Sequence, residues 1–232
     1  MSAEKIGVEY AKKVFGRGEI QYSSKADKRR LEKIVYLVGS NKRVLDLGCY
    51  DGTLGQMLIE KGNEVYGIEV NEEAADIAKD RGLKVRIQDI QSGFDFEDDF
   101  FDVVVAAEII EHLLDTDFLI DEIKRILKPN GDLVISTPNV SSLGKRILLL
   151  FGKNPYFEAS YGFPPEAHAG HIRFFTKGLL LDFLIYKGFE ILKFESDAVN
   201  FTPNGNIACG LIADIFPALG RCLIVKAKKV CG

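Results

Sequence analysis

VLDLGCYDGTLG, residues 44–55, is a glycine-rich stretch that joins a short apolar run to an amphipathic one. Residues 42–47 are typical of a buried strand, and residues 53–60 have the apolar spacing of a helix that ends near Gly62. In open α/β sheets the ligand lies at the carboxyl ends of the strands, close to such a turn. We therefore expect the turn to form part of a ligand site.

Apolar segments of strand length and helix length alternate along the rest of the chain. Further strands are predicted at 64–70, 83–88, 101–106, 132–137, 189–194 and 221–228, and further helices at 72–81, 115–127 and 177–186. A break is predicted at 128–131, and residues 196–220 are expected to be irregular. Strands that alternate with helices imply right-handed βαβ units and a mainly parallel sheet with helices on both faces. The predicted fold class is α/β, doubly wound around a seven-stranded sheet.

Two regions lie outside this alternation. The apolar residues at i, i+3, i+4 and i+7 from Leu31 predict an amphipathic helix, which we expect to pack on the edge of the sheet within an N-terminal helical cap, residues 1–40. Residues 151–176 form a loop far longer than the usual connection of about four to six residues. We expect this loop to be a substrate-side lid, and the chain, 1–232, to form a single domain.

The composition narrows the classes of function. The chain has 47% apolar residues, a formal net charge of −4 and four cysteines without a C-x-x-C pair. No apolar run approaches the ~20 residues of a membrane span. No basic stripe favours nucleic acid, and the charged N-terminus does not resemble a secretory signal. We therefore expect a cytoplasmic protein, monomer or homodimer, that acts on a small-molecule substrate.

The glycine turn favours a cationic ligand over a phosphate. A dinucleotide fingerprint, G-x-G-x-x-G, has its second glycine where this chain has Tyr50. Asp46, at the end of the strand, repels a phosphate and favours an ammonium or a sulfonium group. Glu69 ends the next strand, where a carboxylate can accept both hydroxyl protons of a ribose. Asp89 ends the third strand, and its carboxylate can accept the exocyclic amine of adenine.

Five motifs, in their order and spacing, resemble those of class I S-adenosylmethionine-dependent methyltransferases: VLDLGCYDGTLG, VYGIEV, IQDI, FDVVVAAEIIEHL and LKPNGDLVISTPN. The resemblance covers roughly residues 30–195 and implies S-adenosylmethionine as the cofactor and an antiparallel last strand in the sheet. The segment HIRFFT, followed by a helix and KGFEI, is similar to the small-molecule branch of this superfamily. The stretch RGLKVRIQDI is similar to methionine biosynthesis protein W.

Position by position, the resemblance implies a cofactor site along four strand ends. The residues that it places against the methionine moiety are Asp46, Gly48, Tyr50, Asp51 and Gly52. Those that it places against ribose and adenine are Glu69, Val70, Asp89 and Ile90. Ala107 and Glu108 would bring a backbone carbonyl close to the ammonium group of the cofactor. The family more often has glycine where this chain has Tyr50.

Candidates for the transfer chemistry lie past the fourth strand and in the long loop. A base is needed when the acceptor is a hydroxyl or an amine, and histidine is the natural base near neutral pH. The candidate bases are His112, His168 and His171, and the candidate acceptor-binding residues are Tyr156, Tyr161 and Arg173. His168 and His171 have metal-ligand spacing, but no third convergent ligand is evident, so no metal is predicted.

Two other functions are compatible with parts of this pattern. The similarity to methionine biosynthesis protein W allows a partner protein that binds the cofactor without turnover. An oxidoreductase that uses NAD would share the acidic residue at the second strand end. Asp46 and Tyr50 count against that third interpretation.

Overall fold

The computed structural model describes residues 25–155, 171–201 and 207–230. The helices are α1 Lys25–Val38, α2 Thr53–Ile59, α3 Glu72–Asp80, α4 Thr116–Ile126, α5 Leu143–Leu150, α6 Lys177–Tyr186 and α7 Gly210–Ile215. The strands are β1 Arg43–Leu47, β2 Glu64–Glu69, β3 Lys84–Ile87, β4 Phe101–Ala107, β5 Leu127–Pro138, β6 Phe189–Glu195, β7 Val199–Asn200, β8 Ala208–Cys209 and β9 Cys222–Lys229. Short 3₁₀ turns lie at Ile90–Ser92, Ile110–His112 and Pro217–Leu219.

Seven of these strands form one sheet in the order β3-β2-β1-β4-β5-β9-β6. β9 runs antiparallel to both of its neighbours, β5 and β6, whereas the other neighbouring strands are parallel. Helices cover both faces of this sheet. The predicted doubly wound, seven-stranded fold with an antiparallel last strand is confirmed.

β1 lies at the switch point of the sheet, between β2 and β4. Leu47 of β1 pairs with Ile68 of β2 on one side and with Ala106 of β4 on the other. Because these strands are parallel, their carboxyl ends meet at one edge of the sheet, and the residues that follow them lie side by side. This is the edge at which open α/β sheets bind ligands.

Each face of the sheet has its own apolar core. α4 and α6 cover one face, and α1, α2 and α3 cover the other. Ile34 and Val38 of α1 are buried with Val103, Val134 and Ile224 of β4, β5 and β9. The prediction that this helix packs on the edge of the sheet is wrong, because it lies on a face, over interior strands. The apolar periodicity identifies the buried side of the helix but not the surface that receives it.

The break predicted at 128–131 is also wrong, because β5 begins at Leu127. Leu127 pairs with Phe101, whereas Asp132 pairs with Val103, so the register with β4 shifts between the two pairs. The proline and the glycine of this stretch are accommodated in that irregularity. The strand continues through these residues instead of ending at them.

Regular structure also occurs where none was predicted. α5 precedes the long loop, and residues 196–220 contain the antiparallel β7–β8 pair and α7. Strands of two residues and a helix of six are too short to produce a clear periodicity in the sequence. The described residues of this range, 196–201 and 207–220, therefore contain more regular structure than expected.

The predicted cap and lid are described only in part. Residues 151–155 and 171–176 contain no helix, and their one strand-like contact is a bridge from Phe175 to Asn139. Residues 1–24 and 156–170 lie outside the described part of the chain. The division into cap, single domain and lid stays a prediction. Within the described ranges, no helix has the length and apolar character needed to cross a membrane.

Candidate active site

The glycine turn between β1 and α2 contains three residues in the left-handed region. Gly48, Tyr50 and Gly52 have φ values of 63°, 47° and 77°. A Cβ atom on Gly52 would lie 2.8 Å from the Cα of Ala78, a backbone atom that cannot move aside, so only glycine fits there. Tyr50 holds a conformation that few side chains adopt, which gives a physical reason for the glycine found more often at this position.

Asp51 is buried in the turn, and both of its carboxylate oxygens are engaged. Oδ1 accepts hydrogen bonds from the backbone N–H (3.0 Å) and the hydroxyl (2.8 Å) of Thr53. Oδ2 lies 2.8 Å from Nη1 of Arg81, the residue that follows α3. Asp51 therefore ties the start of α2 to the end of α3. Its contact with the methionine moiety of the cofactor stays a prediction.

Asp46 carries a buried carboxyl group with an unused oxygen. The residue is 2% exposed, and Oδ2 has no hydrogen-bond partner among the described residues. Burial, and then the charge of Glu69, raises the pKa of this carboxyl to about 7. A buried carboxylate without a partner is unfavourable, and a cationic group bound beside it would offset that penalty. The site therefore fits the ammonium and sulfonium of the predicted cofactor.

Glu69 lies at the end of β2 and is also buried. Oε2 accepts a hydrogen bond from the N–H of Tyr50 (2.9 Å), and Oε1 accepts from the N–H groups of Val70 and Asn71 (both 2.8 Å). Burial raises the pKa of Glu69, although these three backbone donors oppose the shift. The carboxylate is thus held against the glycine turn, where the predicted ribose contact requires it.

Asp89 and Ile90 follow β3, the next strand outward. Oδ1 of Asp89 accepts a hydrogen bond from the N–H of Gln91 (2.9 Å) and caps a 3₁₀ turn. Ile90 is partly buried against the core. The structure therefore brings Asp46, Glu69 and Asp89 to three neighbouring strand ends, as the sequence predicts.

Glu108 follows the last residue of β4, Ala107, with a φ of 57°. Its Oε1 accepts hydrogen bonds from the hydroxyl of Ser136 (3.0 Å) and the thiol of Cys222 (3.3 Å), and Oε2 lies 3.1 Å from Nη1 of Arg30. Arg30 reaches this edge of the sheet from α1. Sequence reasoning missed it because no local signal connects a residue of the N-terminal helix with one that follows the fourth strand.

Glu111, His112 and His171 meet just beyond this point. The Nε2 atoms of His112 and His171 lie 3.9 and 4.0 Å from Oε1 of Glu111, and the centroids of the two imidazole rings are 4.9 Å apart. Oε2 of Glu111 accepts a hydrogen bond from the hydroxyl of Thr137 (2.9 Å). Two of the three candidate bases are therefore neighbours. The third, His168, lies outside the described residues.

Burial changes the protonation of this cluster. Burial, and then the nearby His112, lowers the pKa of His171 to about 4. Burial, and then the charge of Glu108, raises the pKa of the Glu111 carboxyl well above its usual value. His171 is therefore neutral at pH 7. Sequence reasoning missed Glu111, although its place next to His112 in EIIEHL was a usable signal.

Arg173 is the one described residue among the three predicted to bind the acceptor. Its guanidinium donates hydrogen bonds to the backbone carbonyls of Leu113 (2.9 Å) and Leu114. These bonds fasten the end of the long loop to the stretch after β4. Tyr156 and Tyr161 lie outside the described residues.

A family model described as a methyltransferase domain matches residues 22–193. A ubiquinone biosynthesis O-methyltransferase from Hahella chejuensis is 36% identical over 104 residues, which make up 42% of this chain and 44% of that protein. A second, from Alkalilimnicola ehrlichii, is 28% identical over 118 residues, 47% of this chain and 48% of that protein. The chain thus matches less than half the length of these relatives.

Solved structures share the fold over nearly the whole chain. An S-adenosylmethionine-dependent methyltransferase from Thermotoga maritima is 20% identical with a TM-score of 0.63, covering 95% of this chain and 94% of that one. The N-methyltransferase NodS from Bradyrhizobium japonicum, in complex with S-adenosyl-L-homocysteine, is 16% identical with a TM-score of 0.61, covering 96% and 98%. At these identities the likeness shows the fold alone.

The family match covers most of the chain, which therefore belongs to the methyltransferase domain family. Within that family, the family match and the sheet order confirm the predicted membership of the class I S-adenosylmethionine-dependent methyltransferase superfamily.

Proposed function

We propose that this chain transfers the methyl group of S-adenosylmethionine to a hydroxyl oxygen of a small-molecule acceptor. The proposal rests on the three carboxylates at neighbouring strand ends, above all on Asp46, which is buried with an unpartnered oxygen. A positively charged group, a ribose and an adenine match Asp46, Glu69 and Asp89 in turn. The choice of an oxygen acceptor is supported by the curated relatives, which are O-methyltransferases.

For the cofactor, we propose contacts at four strand ends. The methionine moiety contacts Asp46, Gly48, Tyr50, Asp51 and Gly52; ribose and adenine contact Glu69, Val70, Asp89 and Ile90; and Ala107 and Glu108 flank the ammonium group. The bound cofactor supplies a methyl group on a sulfonium, which is already activated for displacement. The work left to the protein is to align the acceptor and to exclude water.

For the acceptor, we propose the histidines as the groups that remove its proton. A hydroxyl nucleophile must lose a proton on transfer, and a base within hydrogen-bond reach can accept it. The proposed bases are His112, His168 and His171, and Tyr156, Tyr161 and Arg173 are proposed to bind the acceptor. Arg173 also positions the stretch that carries His112, through the carbonyls of Leu113 and Leu114.

Cofactor binding is tested by calorimetry with S-adenosylhomocysteine. Cofactor-free protein is expected to bind it with micromolar affinity, and Glu69→Ala is expected to lose most of that affinity because it removes the proposed ribose acceptor. Glu73→Ala is the matched control, since Glu73 is exposed on the neighbouring helix α3. Absence of binding heat with cofactor-free wild-type protein would contradict the proposal, as would a preference for NADH.

Turnover is tested with methyl-labelled S-adenosylmethionine and panels of hydroxyl, amine and carbon nucleophiles. Label on a hydroxyl oxygen supports the proposed acceptor class, whereas label only on nitrogen or carbon contradicts it. Cofactor binding without transfer to any panel, together with a protein that co-purifies, would favour the non-catalytic partner protein instead.

The compartment, the oligomeric state and the partners of the protein are also proposals. We propose a cytoplasmic monomer or homodimer without a nucleic-acid partner. Its net charge of −4 and the lack of a basic stripe in its sequence support the last part of this proposal. Sedimentation measures the oligomeric state. Salt-sensitive binding to RNA or DNA would contradict the absence of a nucleic-acid partner.

A further inference from the structure

The cluster of Glu111, His112 and His171 has the composition of a metal site. One ligand atom from each residue lies within 4.8 Å of those of the other two. Two imidazole nitrogens and one carboxylate oxygen are ligands that zinc and its first-row neighbours accept. The sequence predicted no metal because the histidines lacked a third convergent ligand, and Glu111 is such a ligand.

The carboxylate of Glu111 is an independent indication of a cation. Glu111 is 1% exposed, and Oε2 is satisfied by the hydroxyl of Thr137. Oε1 is buried and has no hydrogen-bond partner in the described part of the chain. It lies between the two imidazoles, about 4 Å from each Nε2 atom. An orphaned buried carboxylate oxygen is unfavourable, and a bound cation would satisfy it.

The spacing of the ligand atoms is somewhat wider than in a loaded site. Atoms bound 2.0–2.1 Å from one zinc ion in tetrahedral geometry are roughly 3.3 Å apart. The 3.9 and 4.0 Å separations from Glu111 therefore need to shrink by roughly 0.6–0.7 Å. Small rotations of the two imidazole side chains within their rotamer wells can supply this movement.

The surrounding charges leave Glu111 as the carboxylate that can bind the ion. Glu108 also acts electrostatically on the cluster, but its Oε2 lies 3.1 Å from Nη1 of Arg30, which neutralises it. Lys145 also acts on His171. One divalent cation would therefore be met by the carboxylate of Glu111 and the two imidazoles, the donor set described above.

We propose that Glu111, His112 and His171 together bind one divalent first-row transition-metal ion of the zinc type. This proposal is based on the geometry of the cluster and does not depend on the proposed methyl transfer. Three protein ligands leave at least one coordination position open. If the transfer takes place as proposed, the hydroxyl oxygen of the acceptor fits that position. The bound hydroxyl would lose its proton to solvent more readily. In the metal-loaded protein His112 and His171 would therefore act as ligands and not as the bases proposed above. The new O–CH₃ bond then forms as the S–CH₃ bond breaks, and a neutral thioether leaves.

Metal binding is measured without cofactor or acceptor, so its outcome is independent of turnover. Protein freed of metal with a chelator is titrated with Co²⁺, which reports coordination by its visible absorption, and with Zn²⁺ by calorimetry. We expect one equivalent of either ion per chain and displacement of Co²⁺ by Zn²⁺. Absence of a saturable one-equivalent site would overturn the proposal.

Variants assign the site to the three residues. His171→Ala and Glu111→Gln are each expected to weaken Zn²⁺ binding at least about tenfold, since even groups that only orient ligands contribute that much. Glu73→Gln is the exposed control and is expected to bind like the wild type. If Glu111→Gln does not fold, His112→Ala and His171→Ala carry the same test. Wild-type Zn²⁺ affinity in both histidine variants would overturn the proposal.

S-adenosylhomocysteine binding separates the two proposals. If the protein binds S-adenosylhomocysteine but neither metal ion, the proposed function is supported and the proposed metal site is refuted. If the protein binds metal at the cluster but does not bind S-adenosylhomocysteine, the metal site is supported and the proposed function is refuted. The same titration in Glu111→Gln also shows whether the cofactor site is still intact in that variant.

Discussion

Asp46 combines a binding role with a stability penalty in a single side chain. Its carboxyl is buried, its Oδ2 is unpartnered among the described residues, and Glu69 adds a second negative charge nearby. Without a ligand, ionisation of Asp46 is unfavourable, as the pKa of about 7 reflects. The group that attracts a cationic ligand is thus one that weakens the ligand-free fold.

We expect Asp46→Asn to stabilise the ligand-free protein at pH 8. The folded-state pKa of Asp46 lies above its usual value, so its protonated form adds stability at low pH, which is lost as the pH rises towards about 7. The uncharged amide avoids that loss. The shift of the pKa from 3.8 to about 7 corresponds to a gain of at most about 4 kcal/mol, and each 1 kcal/mol raises the melting temperature by about 2–4 °C. Calorimetric melting at pH 4 and pH 8 checks this, and an equal difference between variant and wild type at both pH values would contradict it.

The same pKa predicts how cofactor affinity depends on pH. At pH 6 most Asp46 is protonated and cannot pair with an ammonium group, whereas at pH 8 it is ionised. We expect the affinity for S-adenosylhomocysteine to rise roughly tenfold between these values. Calorimetric titrations at three pH values measure this. The Asp46→Asn variant is expected to bind weakly and to show a flat profile, and a wild-type profile that is equally flat would contradict the assignment.

Some site residues were predictable because the sequence immediately around them indicates where a strand ends. Others were not, because they depend on contacts between distant parts of the chain. Asp46, Glu69 and Asp89 each end a recognisable strand, and the shared edge of parallel strands then brings them together. The histidine cluster joins His112 to His171, which are far apart in the chain, and no local pattern encodes their contact. Arg30 could not be predicted for the same reason, since it lies on α1 and its partner Glu108 follows β4.

At the scale of elements, α1 is part of the core and not an accessory at the sheet edge. Ile34 and Val38 are fully buried against interior strands. At the carboxyl edge of the sheet, the same helix supplies Arg30 to Glu108. One helix therefore supports both the core of one face and the entrance to the candidate active site.

We expect Ile34→Ala to destabilise the protein by about 2–5 kcal/mol, because a fully buried isoleucine leaves a cavity on the face of the sheet. Urea unfolding followed by circular dichroism gives the free energy of unfolding. Glu32→Ala, at an exposed position of the same helix, is the matched control and is expected to stay within about 0.5 kcal/mol of the wild type. A loss below about 0.5 kcal/mol for Ile34→Ala would place the helix at the sheet edge after all.

The elements themselves were predictable to the extent that their periodicity is regular. Strands β1 to β4 and helix α6 fall close to the expected positions because their apolar residues are continuous or evenly spaced. The register shift in β5 depends on pairing with β4, which the local sequence does not encode. α5 exposes Leu149 and Leu150, so its apolar residues do not mark a single buried side.

At the scale of the whole molecule, the proposed cofactor site connects elements that otherwise meet only through the sheet. Its residues follow β1, β2, β3 and β4, four strands joined by separate helices. A ligand that contacts all four strand ends binds the folded chain and not the unfolded one. Its binding free energy therefore adds to the stability of the whole fold.

We expect S-adenosylhomocysteine at 100 times its Kd to stabilise the protein by about 2.7 kcal/mol. For a chain of this size the melting temperature then rises by roughly 5–10 °C. Thermal scans over a series of ligand concentrations measure the shift. Glu69→Ala is expected to shift far less, and the exposed control Glu73→Ala as much as the wild type. A melting temperature independent of the ligand would contradict the proposed site.

The antiparallel β9 has a consequence for how the protein is made. β9 is the neighbour of both β5 and β6 in the sheet, and β6 has no other sheet neighbour among the described strands. During synthesis on the ribosome, β6 emerges before residues 222–229. Until these residues have been synthesised, β6 lacks its partner strand and its backbone edge is unpaired. Until they arrive, this side of the nascent chain is open to wrong pairing and to chaperone capture. Synthesis can therefore complete the cofactor edge well before it completes the sheet.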